Sequence, residues 1–132
     1  MLGHITHMDE YLQKFLQSLE GYDAEFGDAE QIGPQSRSRV GDTPLHFAAI
    51  QGDLRAIALL IDAGADLAAA GEWGYTALHY AVCHQRHEAV RLLLERGADT
   101  SLRSELGETP LELADHTHDY EIQRLLQPHV AS

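Results

Sequence analysis

The feature that most constrains this chain is a fixed internal period, the step that carries Gly41 to Gly74 and Gly74 to Gly107. Thr43, Thr76 and Thr109 recur at the same step, as do Leu45, Leu78 and Leu111, and Ala48, Ala81 and Ala114. Gly64-Ala65-Asp66 returns one period later as Gly97-Ala98-Asp99. A repeat of this length means one supersecondary unit used several times, in which no unit buries its apolar face alone and stacking supplies the core.

Each unit reads as helix, turn, helix. Thr43 is a good N-cap and Pro44 fits the first helical position, where its missing N–H is no loss; Leu45, Ala48 and Ala49 follow at helical spacing. Gly52 closes this helix and Asp53 can cap a second, whose apolar side would come from Leu54, Ile57, Leu59, Leu60 and Ile61 until Gly64 ends it. From Asp66 to Gly74, and from Asp99 to Gly107, the spacing suits an extended excursion with a turn. Small alanines on the first helix and branched residues on the second imply close stacking.

Composition narrows the function. With 132 residues, 44% hydrophobic, the chain fits one small domain and excludes a large enzyme. Apolar runs such as Ala56 to Ile61 are far too short to span a bilayer, which takes about 18 residues. The only cysteine, Cys83, cannot form an internal disulfide, so a cytoplasmic protein is expected. A formal charge of −12 argues against nucleic-acid and anionic-membrane partners, whose affinity comes from Lys and Arg. Asparagine is absent and lysine occurs once, a bias of the kind that GC-rich bacterial coding produces.

Thr43-Pro44-Leu45-His46-Phe47-Ala48-Ala49, Thr76-Ala77-Leu78-His79-Tyr80-Ala81-Val82 and Thr109-Pro110-Leu111-Glu112-Leu113-Ala114 resemble the helix-opening motif of ankyrin repeats, and the two Gly-Ala-Asp segments resemble that family's repeat ending. The resemblance covers about residues 38 to 127. It implies an all-α solenoid of about three repeats with an N-terminal capping helix. The expected division is residues 1–37, an acidic helix and linker that could form a degenerate capping repeat, and 38–132, with repeats about 38–70, 71–103 and 104–128. Ala77 departs from the usual proline and Gln85 from the usual glycine; Glu112 replaces histidine. The departures in the third unit suit a C-terminal cap with a polar outer face, to which Gln123, Gln127 and Pro128 would contribute.

Residues 8 to 20 form an amphipathic pattern, with Met8, Tyr11, Leu12, Phe15, Leu16 and Leu19 at helical spacing and Gly21 as a stop. This helix is expected to dock on Leu45 and Leu54; partner binding or dimerisation is the alternative role. Leu12 lies one full period before Leu45, which suggests a degenerate first repeat with Ala24, Phe26 and Ile32 as remnants of its second helix. The segment around it is acidic: residues 1 to 32 hold seven acids and only Lys14.

Nine histidines invite a metal reading. The resemblance makes His46 and His79 structural, tying neighbouring repeats by hydrogen bonds. His84 with His87, and His116 with His118, lack the Cys pairs or His-Glu-x-x-His spacing of zinc sites. No phosphate-binding glycine loop occurs, and Cys83 lacks the setting of a nucleophile. No metal, cofactor or catalysis is therefore expected.

What the resemblance implies instead is a protein-binding surface made of hairpin tips and the inner face of the first helices. The tip residues are Arg39, Val40 and Asp42, then Glu72, Trp73 and Tyr75, then Glu105, Leu106 and Glu108. Inner positions are Ile50, Gln51 and Asp53, then Cys83, His84 and Arg86, then His116, Thr117 and Asp119. Trp73, the single tryptophan, is the expected anchor, since Trp and Tyr dominate interface hot spots. The acids around it point to a partner with a basic patch. The expected protein is monomeric, a stoichiometric adaptor or inhibitor; the alternative is a bacterial immunity protein that neutralises a toxin.

Overall fold

The computed structural model describes residues 9–19 and 32–127. They form seven α-helices: α1 (Glu10–Leu19), α2 (Pro44–Gln51), α3 (Leu54–Asp62), α4 (Ala77–Cys83), α5 (His87–Glu95), α6 (Pro110–Thr117) and α7 (Tyr120–Leu126). There are no strands among the described residues. Helices α2/α3, α4/α5 and α6/α7 pack as pairs in successive units, and the units stack so that first helices pack on first helices and second on second. The result is an all-α repeat solenoid, as the sequence predicts.

The caps follow the chemistry of their residues. Thr76 and Thr109 accept, through Oγ1, the N–H three residues on, while His79 and Glu112 reach back to the threonine N–H. Asp53 and Asp119 cap α3 and α7 by accepting from the Ala56 and Ile122 N–H groups. After the first helix of each unit the backbone turns through the left-handed region at Gly52, Gln85 and His118, so a conformation that favours glycine is imposed on two side-chain-bearing residues.

The core runs through the stack as Leu45, Ile57 and Leu60, then Leu78, Val90 and Leu93, then Ile122 and Leu126. Leu59, expected on the apolar side, is half-buried, as is Leu92 one period later, and the adjacent Leu60 and Leu93 are fully buried. Successive residues in a helix are about 100° apart, and Ala56, Ile57 and Leu60 define the inward stripe of α3. Leu54, expected beneath α1, is exposed.

Two buried histidines tie the units. His46 Nδ1 accepts the Thr43 N–H (2.9 Å) and its Nε2 donates to the Tyr75 carbonyl in the next unit (2.9 Å). His79 does the same with Thr76 (3.1 Å) and Glu108 (2.8 Å). Because Nδ1 must accept, both rings are neutral with the proton on Nε2. Burial holds both below the ordinary histidine pKa.

In the third unit Glu112 stands at the histidine position and supplies the acceptor without the surplus donor: its Oε1 accepts from the Thr109 N–H (2.9 Å) and from Arg103 (3.0 Å). The same change runs down this face. Where the first two units place buried Ala49 and Val82, and Ile57 and Val90, the third has Asp115 and Gln123. Ile61 and Leu94 give way to exposed Gln127. This face of the third unit is thus polar; Pro128 lies outside the described residues.

At the other end α1 buries Leu12, Phe15, Leu16 and Leu19. It packs on α3, and the Tyr11 hydroxyl donates to Asp53 (2.8 Å) with the Arg55 guanidinium 4.6 Å from the Tyr11 ring centre. The Leu12-to-Leu45 register would put this helix in the row of first helices, yet its neighbour is a second helix. Ile32 is buried; Met8, Ala24 and Phe26 lie outside the described residues.

Candidate partner-binding face

Three hairpin-like tips are built alike. In each, the N–H of Ser38, Gly71 or Ser104 donates to the carbonyl four residues on, at Asp42 (2.7 Å), Tyr75 (2.8 Å) and Glu108 (2.9 Å). The equivalent apex positions carry Val40, Trp73 and Leu106, whose exposures are 41%, 58% and 67%. They are three of the five large exposed hydrophobic residues among those described, and they lie in one register along the stack.

The tips are fastened to one another. The Asp42 carboxylate reaches into the second tip to accept the Glu72 N–H (3.0 Å), and the Glu105 N–H of the third tip donates to the Trp73 carbonyl (2.8 Å). Trp73 itself is in left-handed backbone, φ 59°, followed by Gly74 at φ 75°. A Cβ on Gly74 would stand 2.8 Å from the Glu105 nitrogen, so the tight approach of these tips requires glycine there. A bulky side chain held exposed on a left-handed residue is strain concentrated at the apex.

Below the apices lies an aromatic floor. The rings of Tyr75 and Tyr80 meet edge to face at 5.7 Å, Tyr80 meets His46 at 5.3 Å, and His84 continues the series at 6.4 Å from Tyr80. Tyr80, which sequence reasoning did not single out, donates its hydroxyl to Asp42 (3.0 Å). Burial first, then the Asp42 charge, holds this phenol above its ordinary pKa and keeps it a donor. Burial also raises Tyr75.

The expected surface residues divide accordingly. Arg39, Val40, Glu72, Trp73, Glu105 and Leu106 are exposed on the tips, and Gln51, His84 and His116 are exposed at the far ends of the first helices. Tyr75 and Glu108 are half-buried at the tip bases, with the Glu108 carboxylate 3.0 Å from His116 Nε2. Three others are engaged within the fold. Asp42 is 7% exposed, its carboxylate taken by Glu72 and Tyr80. Asp53 caps α3 and accepts from Tyr11, and Arg86 Nε donates to the Ile50 carbonyl of the preceding unit (2.8 Å). Their partners come from other units or from the N-terminal helix, which a period read within one unit does not reveal.

Among the described residues, no group of three or more His, Cys, Asp or Glu side chains is arranged to hold a metal ion, and no helix is long and apolar enough to cross a membrane. Cys83 is exposed at the end of α4. A family model described as ankyrin repeats in three copies matches residues 7–104, well over half of the chain. The match takes in α1 and stops short of α6. No curated protein matches the chain.

Proposed function

The chain belongs to the ankyrin-repeat family, whose repeats are protein–protein interaction modules, and on that premise we propose that it binds one protein partner stoichiometrically through its hairpin tips, as an adaptor or inhibitor. The observation that carries this reading is the single row of exposed apolar apices, Val40, Trp73 and Leu106, on tips that main-chain and carboxylate hydrogen bonds hold in place. A preorganised apolar row lowers the ordering cost of association, and aromatic anchors supply most of the binding energy at such surfaces. Glu72, Glu105 and Glu108 flank the second and third apices, a charge pattern complementary to a basic partner.

The test is capture of partners from cells of the source with tagged protein and with Trp73→Ala, followed by the mass of the reconstituted complex. A basic protein held one to one and lost with Trp73→Ala supports the reading; if that protein is a toxic enzyme, the function is that of an immunity protein. A partner retained by Trp73→Ala and lost on deleting residues 1–20 overturns it.

A further inference from the structure

Beyond the hairpin tips, the junction between the second and third units holds a second inter-unit histidine. His87 opens α5, and both of its ring nitrogens face carboxylates of the third unit: Nε2 is 2.5 Å from Asp119 Oδ2 and Nδ1 is 3.2 Å from Glu121 Oε2. The Asp119 contact is a hydrogen bond and the Glu121 contact an ion-pair approach, so the two carboxylates together favour the ring that carries both protons. The groups facing His87 are Asp119, the N-cap of α7, Glu121 in the first turn of α7, and Glu88 on its own helix. Arg86, Gln51 and Gly52 line the open recess of about 340 Å³ beside it.

The same junction is held at its tip side by His79, whose geometry demands the opposite state. Nδ1 accepts the Thr76 N–H and Nε2 donates to the Glu108 carbonyl, so a second proton would set donor against donor. Around His79 stand Glu108 of the third unit and Tyr75, whose ring centre is 5.4 Å away.

We infer that the third repeat is docked by two imidazoles with opposite proton requirements, so that its attachment is strongest in a window around neutral pH and loosens on both sides. Burial depresses His79, so its contribution is complete above the ordinary value near 6.5 and is lost as pH falls through the depressed one. The hydrogen bond to Asp119 raises His87, so its contribution is complete below about 6.5 and is lost as pH rises through the raised value. The window therefore centres near pH 6.5.

The two sides differ in reach. His46 repeats the His79 arrangement between the first and second units, so acid loosens both junctions. His87 has no such counterpart: one period earlier stands Leu54, and Arg86 stands at the position of Asp119. Alkaline loosening is confined to α6 and α7. These helices and their tip carry Glu105, Leu106, Glu108 and His116, so pH would act on one end of the candidate partner face. The inference does not rest on that face binding a protein.

The experiment is nitrogen-15 NMR of the histidine rings with amide-exchange protection of each helix, from pH 5 to 8.5, on the whole chain and on His87→Gln. Expected are a neutral Nε2–H tautomer for His46 and His79 at pH 7, and a His87 ring that titrates above 6.5. Protection of α6 and α7 should fall from pH 7 to 8.5 while α2 and α3 hold, by about tenfold for each pH unit by which His87 is raised. In His87→Gln this alkaline loss should vanish and the acid loss remain. A His87 that titrates at or below 6.5, an alkaline loss shared by α2 and α3, or one that survives in His87→Gln overturns the inference. If His87→Gln does not fold, the ring titration of the unsubstituted chain decides.

Discussion

The Trp73 carbonyl accepts the Glu105 backbone N–H at 2.8 Å, so the apex carrying the most exposed aromatic ring of the three tips is joined to the next tip through main chain alone. Truncating the side chain leaves that bond in place. Trp73→Ala should keep the melting curve of the parent and weaken the partner complex by about 2 kcal/mol or more, as interface anchors do. Trp73→Gly gives a second check, because it relieves the left-handed backbone. It should melt no lower than Trp73→Ala and bind equally poorly. Calorimetric titration against the captured partner measures the first quantity and a thermal scan the second.

Core truncation should separate adjacent leucines. Leu60 and Leu93 are completely buried, and replacing either with alanine should cost about 2–5 kcal/mol through lost transfer energy and the cavity left behind. Leu59→Ala and Leu92→Ala remove half-buried side chains and should each cost clearly less. Urea denaturation of the four variants ranks them. A larger loss at Leu59 than at Leu60 would mean that α3 presents a different stripe to the core.

The left-handed residues between helices offer a gain. Gln85 at φ 56° and His118 at φ 57° occupy the position that Gly52 fills in the first unit at φ 71°. Left-handed backbone costs a side-chain-bearing residue about 1–2 kcal/mol, of which glycine's greater freedom in the unfolded chain cancels a part. Gln85→Gly and His118→Gly should each stabilise by about 0.5–1 kcal/mol. The reverse change, Gly52→Ala, adds a clash, since a Cβ there would lie 2.9 Å from Arg86 Cδ. Raised urea midpoints for the first two and a lowered one for the third are the expected results.

Much of this was legible in the sequence because the period repeats local chemistry. Thr76 and Gly74 recur with their neighbours at fixed offsets, so caps and turns could be read from one unit and copied to the next, while the tie made by His46 and His79 came from the family resemblance. Leu60 was not separable from Leu59, since both fit a helical stripe and a single step of about 100° decides which faces inward. The packing partner of α1 was not legible for a different reason. The full-period offset from Leu12 to Leu45 does not say which helix α1 packs on, and its contact is with α3, through the Tyr11–Asp53 bond among others. His87 entered the sequence reading only as a metal candidate, because its carboxylate partners lie about a full period away, at the start of α7.

Asp42 shows how a residue at a recognition position can serve the fold. One carboxylate oxygen accepts both the Glu72 N–H and the Tyr80 hydroxyl, which joins the first tip to the second and to the floor beneath it. Asp42→Ala removes both bonds and leaves a half-buried hydroxyl to find another acceptor. A hydrogen bond to a charged group contributes about 1.5–3 kcal/mol, so the variant should lose at least about 2 kcal/mol of stability. Glu105→Gln, on an exposed tip residue, should change stability by less than about 0.5 kcal/mol and act on the partner association rate instead. If Asp42→Ala melts like the parent while binding collapses, the carboxylate is a contact residue after all. Parallel thermal scans and stopped-flow association of the two variants discriminate between these outcomes.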